Sequence, residues 1–214
     1  MLAIVDYGAG NIGSVLRACN ETGLQAFITS NPADLKKAER IIFPGVGAAR
    51  SAMENLNRTG LGDAFKAAYA AGTPILGICI GAQVVLDKSE EGETPCLGLI
   101  PGKTTRFKFQ DKTLKIPHIG WNIVKATQPH PLLEGIAEGD EFYFVHSYYP
   151  QPAKKENIFA VSDYGGDFCV AVGARNLFAV QFHPEKSGRF GLAMLQRFAK
   201  WDGKIPAKTA GRGK

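Results

Sequence analysis

Short apolar runs alternate with amphipathic stretches from the first residues of the chain, and no other feature constrains its fold as strongly. Residues 2–7 form an apolar run ending at Gly8, after which residues 11–22 carry Ile12, Val15, Leu16 and Cys19 at helical spacing. The couple recurs as a strand at 24–29 with a short helix at 34–38, a strand at 40–43 with a helix at 61–71, and a strand at 74–78 with a helix at 80–86. A helix between successive strands is a crossover, so the strands run parallel and the helices cover both faces. From about Glu90 the texture changes. Residues 105–124 and 141–182 read as strands with period-2 stretches such as Phe142, Phe144 and Phe178, Val180, Phe182, which predicts an antiparallel extension. Residues 188–201 form a closing amphipathic helix with Phe190, Met194, Leu195 and Phe198. The expected architecture is α/β, a doubly wound, mostly parallel sheet with an antiparallel extension.

Composition bounds the function classes. With 45% hydrophobic and 21% charged residues, the 214-residue chain has the material for a buried core, which excludes disordered, collagen-like and coiled-coil readings. The net charge of +5 does not indicate nucleic-acid binding: Lys204, Lys208, Arg212 and Lys214 follow residue 202 with no acid among them, the body is nearly neutral, and no recognition motif is present. One domain over 1–202 and a basic, disordered tail over 203–214 are expected. The first residues lack a basic leader and no apolar run approaches the ~18 residues of a membrane span, so a cytoplasmic chain with no membrane role is expected. Cys19, Cys79, Cys96 and Cys169 show no C-x-x-C pairing and fit free thiols in a reducing compartment.

Two segments carry chemistry. In Gly77-Ile78-Cys79-Ile80-Gly81 a cysteine sits between a buried strand and a helix, with a glycine two positions away on each side. A lone cysteine there is commonly a small core residue, but the paired glycines permit a sharp turn and the helix start stabilises a thiolate. In Gln181-Phe182-His183-Pro184-Glu185, Pro184 holds His183 extended, and an extended chain points His183 and Glu185 to the same side. Cys79, His183 and Glu185 thus have the composition of a nucleophile, its base and the carboxylate that orients it. Acyl transfer also needs donors for an oxyanion. The Phe43-Pro44-Gly45-Val46-Gly47 turn follows the third strand, so backbone N–H groups of Val46 or Gly47 could pair with that of Ile80, although an ordinary glycine turn accounts for the segment equally well.

PGVG, GICIGAQ and QFHPEKS together resemble the class I (triad) glutamine amidotransferases, over essentially residues 1–201. Segments 6–12 (DYGAGNI), 117–122 (PHIGWN) and 146–148 (HSY) are similar to those of the glutaminase subunits of imidazole glycerol phosphate synthase. The resemblance implies a flavodoxin-like fold and hydrolysis of L-glutamine to glutamate and ammonia through a thioester on Cys79. His183 would be base and then acid, with Glu185 its orienter. It places Gln83, Glu91, His146, Ser147 and Tyr148 around the substrate, and puts Asn11, Trp121 and Lys186 at the interface with a separate (β/α)8 cyclase in a heterodimer that receives the ammonia for histidine biosynthesis. Trp121 also reads as a half-buried sheet aromatic. The chemistry needs neither a metal nor an organic cofactor. Gly8-Ala9-Gly10-Asn11-Ile12-Gly13 is a literal G-x-G-x-x-G, but the second strand ends Phe27-Ile28-Thr29-Ser30-Asn31 without the acid that would bind a ribose, which argues against a dinucleotide site.

Overall fold

The computed structural model describes residues 1–8 and 10–206. The N-terminal half is the predicted alternation: β1 (Leu2–Val5), α1 (Ile12–Glu21), β2 (Ala26–Thr29), α2 (Pro32–Leu35), β3 (Arg40–Gly45), α3 (Ala49–Thr59), α4 (Leu61–Ala71), β4 (Ile75–Cys79) and α5 (Ile80–Val84). Then follow β5 (Lys88–Ser89), β6 (Thr94–Pro95), β7 (Gly102–Arg106), β8 (His118–Ile123), β9 (Lys125–Ala126), β10 (Glu141–His146), β11 (Tyr148–Pro152), β12 (Ile158–Asp163), β13 (Asp167–Ala174), β14 (Leu177–Val180) and α6 (Gly188–Lys200).

The main sheet has the order β2-β1-β3-β4-β14-β13-β12-β9. Its strands alternate side chains between two cores. Ile4, Ile42, Ile78 and Val180 point to the face covered by α1 and α6, while Val5, Phe43, Ile75 and Ala179 point to the face covered by α2, α3, α4 and α5. Among the described residues no helix is long and apolar enough to cross a membrane.

Several expectations are corrected. Residues 49–59, where the hydrophobic periodicity predicts no element, form α3. Its buried face is Ala49, Ala52, Met53 and Leu56, at helical spacing but small enough to give a weak apolar signal. The last main-sheet strand, β14, runs parallel to β4 (Val180 opposite Ile78); only β13, β12 and β9 extend the sheet antiparallel. The remaining strands leave the main sheet for two small ones, β10-β8 and β11-β7-β5-β6. Residues 107–117 are not strand. Residues 203–206, assigned to the tail from composition, lie against the body: the Trp201 indole N–H donates to the Lys204 carbonyl at 2.8 Å, Gly203 is buried and Ile205 packs on the core. The rest of that tail, 207–214, lies outside the described residues.

Candidate active site

β3 and β4 pair in parallel with Gly45 opposite Cys79, so the Gly45-Val46-Gly47 turn and the Cys79 elbow leave the sheet side by side. Cys79 has φ 56° and ψ −103°, a backbone conformation that costs energy for any residue with a Cβ and that tight packing around it must enforce. The flanking glycines supply the packing. A Cβ on Gly77 would come within 2.7 Å of the Ala179 Cβ and 3.0 Å of the Gly81 carbonyl, and one on Gly81 would collide with the Phe43 carbonyl. The elbow therefore presses its helix start onto the neighbouring strands and presents the thiol at the carboxyl end of the sheet.

Because β14 pairs with the other side of β4, the chain after Val180 also arrives at the elbow. His183 is extended (φ −103°, ψ 96°), and its backbone N–H donates to the Tyr143 carbonyl at 2.9 Å. The Ser187 hydroxyl donates to the His183 carbonyl (2.6 Å) and accepts from the Tyr143 N–H (3.0 Å), which ties this turn to β10. The His183 Nδ1 is 2.8 Å from Glu185 Oε1, and both side chains are almost wholly buried. Burial by itself would lower the His183 pKa, but the interactions with Cys79 and Glu185 outweigh it and raise the value from 6.5 to about 9. The His183 Nε2 meets no partner at hydrogen-bonding geometry, so the influence of Cys79 is that of a facing thiol without a formed bond.

A cavity of about 350 Å³ opens at this junction, lined by Val46, Gly47, Cys79, Ile80, Gln83, Glu91, Pro117, Val145, His146, Ser147 and Tyr148. Its walls thus include every residue expected to bind substrate or to offer an oxyanion donor. Gly47 has φ 96°, and Ile80 is the first residue of α5. Glu91 Oε2 accepts from the Ala49 N–H at 2.7 Å, where the α3 start has no side-chain cap of its own. The Gln83 amide nitrogen donates to the Tyr148 carbonyl (3.0 Å) and to Gln181 Oε1 (3.1 Å), and the Gln181 amide donates to the Cys79 sulfur at 3.7 Å. The Tyr148 carbonyl also takes the Nδ1 of His146 at 2.9 Å, while His146 Nε2 lies 3.0 Å from His118 Nδ1. Gln181 and His118 were not singled out from the sequence. For Gln181 the signal was there: on an extended chain it shares a side with His183 and Glu185.

The three expected interface residues are not cavity residues. Trp121 is 53% exposed and meets Tyr143 edge-on with centroids 6.0 Å apart; Lys186 Nζ sits 5.6 Å from the centroid of the same ring. Asn11 is exposed at the start of α1, and its side chain does not cap that helix. The glycine-rich turn before it serves packing: the Gly8 N–H donates to Asp6 (2.8 Å), and a Cβ at Gly10 would stand 3.4 Å from Gly45 Cα and 3.6 Å from the Val46 nitrogen. The turn thereby backs the Gly45-Val46-Gly47 wall.

A cysteine on a strained elbow beside a buried His–Glu pair, at the end of a parallel sheet, defines the class. Residues 3–201 match the family described as Glutamine amidotransferase class-I, and the chain belongs to that family. Within it the chain falls among the HisH proteins. It is 47% identical over 211 residues to imidazole glycerol phosphate synthase subunit HisH of Chromobacterium violaceum (95% of this chain, 99% of that one) and 49% identical over 203 residues to that of Nitratidesulfovibrio vulgaris (92% and 95%). The solved structure of PurLQS from Thermotoga maritima has the same fold at 18% identity (TM-score 0.71, covering 93% of this chain and 97% of that one).

Proposed function

We propose that the chain is a glutaminase that hydrolyses L-glutamine to glutamate and ammonia and delivers the ammonia to a separate (β/α)8 cyclase subunit, in a cytoplasmic heterodimer that makes imidazole glycerol phosphate in histidine biosynthesis. The observation that carries this reading is one cavity lined by Cys79, Gln83 and Glu91, with the buried His183–Glu185 pair interacting with Cys79 at its wall. The raised His183 pKa keeps a proton available beside Cys79 near neutral pH.

The sulfur of Cys79, its proton held by His183, attacks the amide carbon of glutamine. Backbone N–H groups of Ile80 and of Val46 or Gly47 receive the oxyanion. The His183 proton passes to the departing nitrogen, ammonia leaves and a thioester remains. His183 then takes a proton from water, the hydroxide adds to the thioester carbon, and collapse expels the sulfur and releases glutamate. Glu185 fixes the His183 tautomer and offsets the imidazolium charge. Asn11, Trp121 and Lys186 meet the cyclase, in keeping with the exposed Trp121 and the half-buried Tyr143 and Lys186 grouped beside the His183 turn.

The test is ammonia release from glutamine by the wild type and by Cys79→Ala, each alone and with purified cyclase plus its nucleotide ligand. Stimulated release that vanishes in Cys79→Ala is expected. Hydrolysis that ignores the cyclase would remove the pathway assignment and leave the chemistry; no hydrolysis in a confirmed complex would overturn both.

A further inference from the structure

We infer that Gln181 is a further catalytic residue, holding the Cys79 sulfur by a donated N–H···S bond whose direction is dictated by the Tyr148 backbone carbonyl. The inference rests on the assignment of Cys79 as nucleophile and adds a residue to that site.

An amide side chain can present either end to a neighbour, so its orientation must be argued from a partner with only one role. The Tyr148 carbonyl is such a partner, since it can only accept. The Gln83 group 3.0 Å from it is therefore NH2, and the same nitrogen spends its second hydrogen on Gln181, 3.1 Å away. The Gln181 atom receiving that hydrogen must be oxygen. Its nitrogen then faces Cys79 Sγ at 3.7 Å, with a hydrogen to give. Gln181 is fully buried and Gln83 nearly so, and the Gln181 backbone is pinned by its N–H to the Val170 carbonyl at 2.8 Å.

Two consequences follow for the reaction. A donor on the sulfur favours the anionic nucleophile over the neutral thiol and fixes Sγ while His183 Nε2, which has no partner of its own, is left free to serve the leaving nitrogen and the water. The sulfur is also freed from this donor's pull only as it forms the C–S bond, so the same contact favours its return as leaving group when the thioester collapses. Gln83 thereby has two tasks: its nitrogen orients Gln181, and the residue lines the cavity that receives substrate.

The test is alkylation of Cys79 by iodoacetamide in the full-length chain from pH 5 to 9, followed by mass spectrometry of the Cys79 peptide, for wild type, Gln181→Met and the isosteric Gln181→Glu. Losing one charge-assisted hydrogen bond moves the profile up by about one pH unit. Because a more basic thiolate is intrinsically more nucleophilic, the rate at pH 7 falls only about threefold while the high-pH plateau rises. Gln181→Glu, which places an acceptor against the sulfur, shifts further. In the complex with cyclase, kcat for glutamine hydrolysis falls about tenfold and KM stays within about threefold. Loosened packing would instead raise the alkylation rate at every pH and leave the profile in place, and either that or superimposed profiles in a folded variant overturns the inference. If wild-type Cys79 reacts no faster than Cys96, the nucleophile assignment itself falls, and this inference with it.

Discussion

On two sides of the site histidines are buried to a similar depth and treated in opposite ways. On one side His183 faces Cys79 and Glu185 and its pKa is raised to about 9; on the other His146 leans on His118 and burial drives their pKa values down, to about 3 and about 4. The difference lies in the partners. The Tyr148 carbonyl requires a hydrogen on His146 Nδ1, so His146 Nε2 accepts and His118 Nδ1 donates, with the Asn122 amide 3.5 Å from His118 Nε2. A further proton on His146 would meet the His118 N–H head-on, so the pair is locked neutral. Around Cys79 the accounting is left open: among the described residues His183 Nε2, Glu185 Oε2 and Tyr7 Oη are buried without a hydrogen-bond partner, whereas no side-chain atom of His118 or His146 is so left. Burial alone thus does not make a reactive histidine. An anionic partner and an unfilled hydrogen-bonding position do.

Breaking the carboxylate contact gives the largest expected effect. In Glu185→Gln the His183 ring keeps Cys79 but loses the second of the two partners that raise its pKa, and glutamine hydrolysis by the complex falls by roughly 10²- to 10⁴-fold. A loss under tenfold in steady-state kinetics would mean that the two sides do not differ for the reason given. His146→Leu should do the reverse. It strands the His118 donor and destabilises the fold by about 1–3 kcal/mol in urea denaturation, but changes kcat by less than about tenfold.

The comparison extends to pH. His183 is raised in the fold, so its contribution to stability is full below the unfolded value of 6.5 and is lost as pH climbs from 6.5 through about 9. His118, His146 and the remote His130, which is lowered to about 3 by burial against Phe178, refuse protons that the unfolded chain accepts. Their contribution is present above 6.5 and is lost as pH falls from 6.5 towards 4 and 3. Stability measured by urea titration should therefore decline on both sides of about pH 6.5, and His183→Gln should flatten the alkaline limb while leaving the acid limb in place.

What could be read from the chain was what is local. The Cys79 elbow, the extended His183-Pro184-Glu185 step and the β-α alternation each depend on neighbours within a few positions, and the fold keeps all three. What escaped depends on distant pairing. The partner that orients Gln181 is 98 residues away, and His118 and His146 meet across the β8–β10 register, 28 residues apart. No periodicity encodes either. The parallel direction of β14 escaped for a related reason: all four of its residues are buried, so its pattern carries no mark of which neighbour it joins. Helix α3 was hidden by its alanines, which pack closely while contributing little apolar contrast.

The smallest effect tests whether the open positions around Cys79 are costs or assets. Tyr7 is 1% exposed, its hydroxyl has no partner among the described residues, and a Cβ on Gly45 would collide with it, so this group lies under the turn that follows β3. Burial raises its pKa, with the charges of Cys79 and Asp6 adding to the rise, so it stays neutral through the working range. Removing a buried hydroxyl that bonds to nothing recovers its desolvation cost without opening a cavity larger than one oxygen. Tyr7→Phe should raise stability by about 1 kcal/mol, or a Tm increase of roughly 2–4 °C for a chain of this size, with hydrolysis unchanged. If stability falls instead, the hydroxyl has a partner in solution. If stability rises while kcat drops, the hydroxyl belongs with His183 Nε2 as a position kept open for substrate.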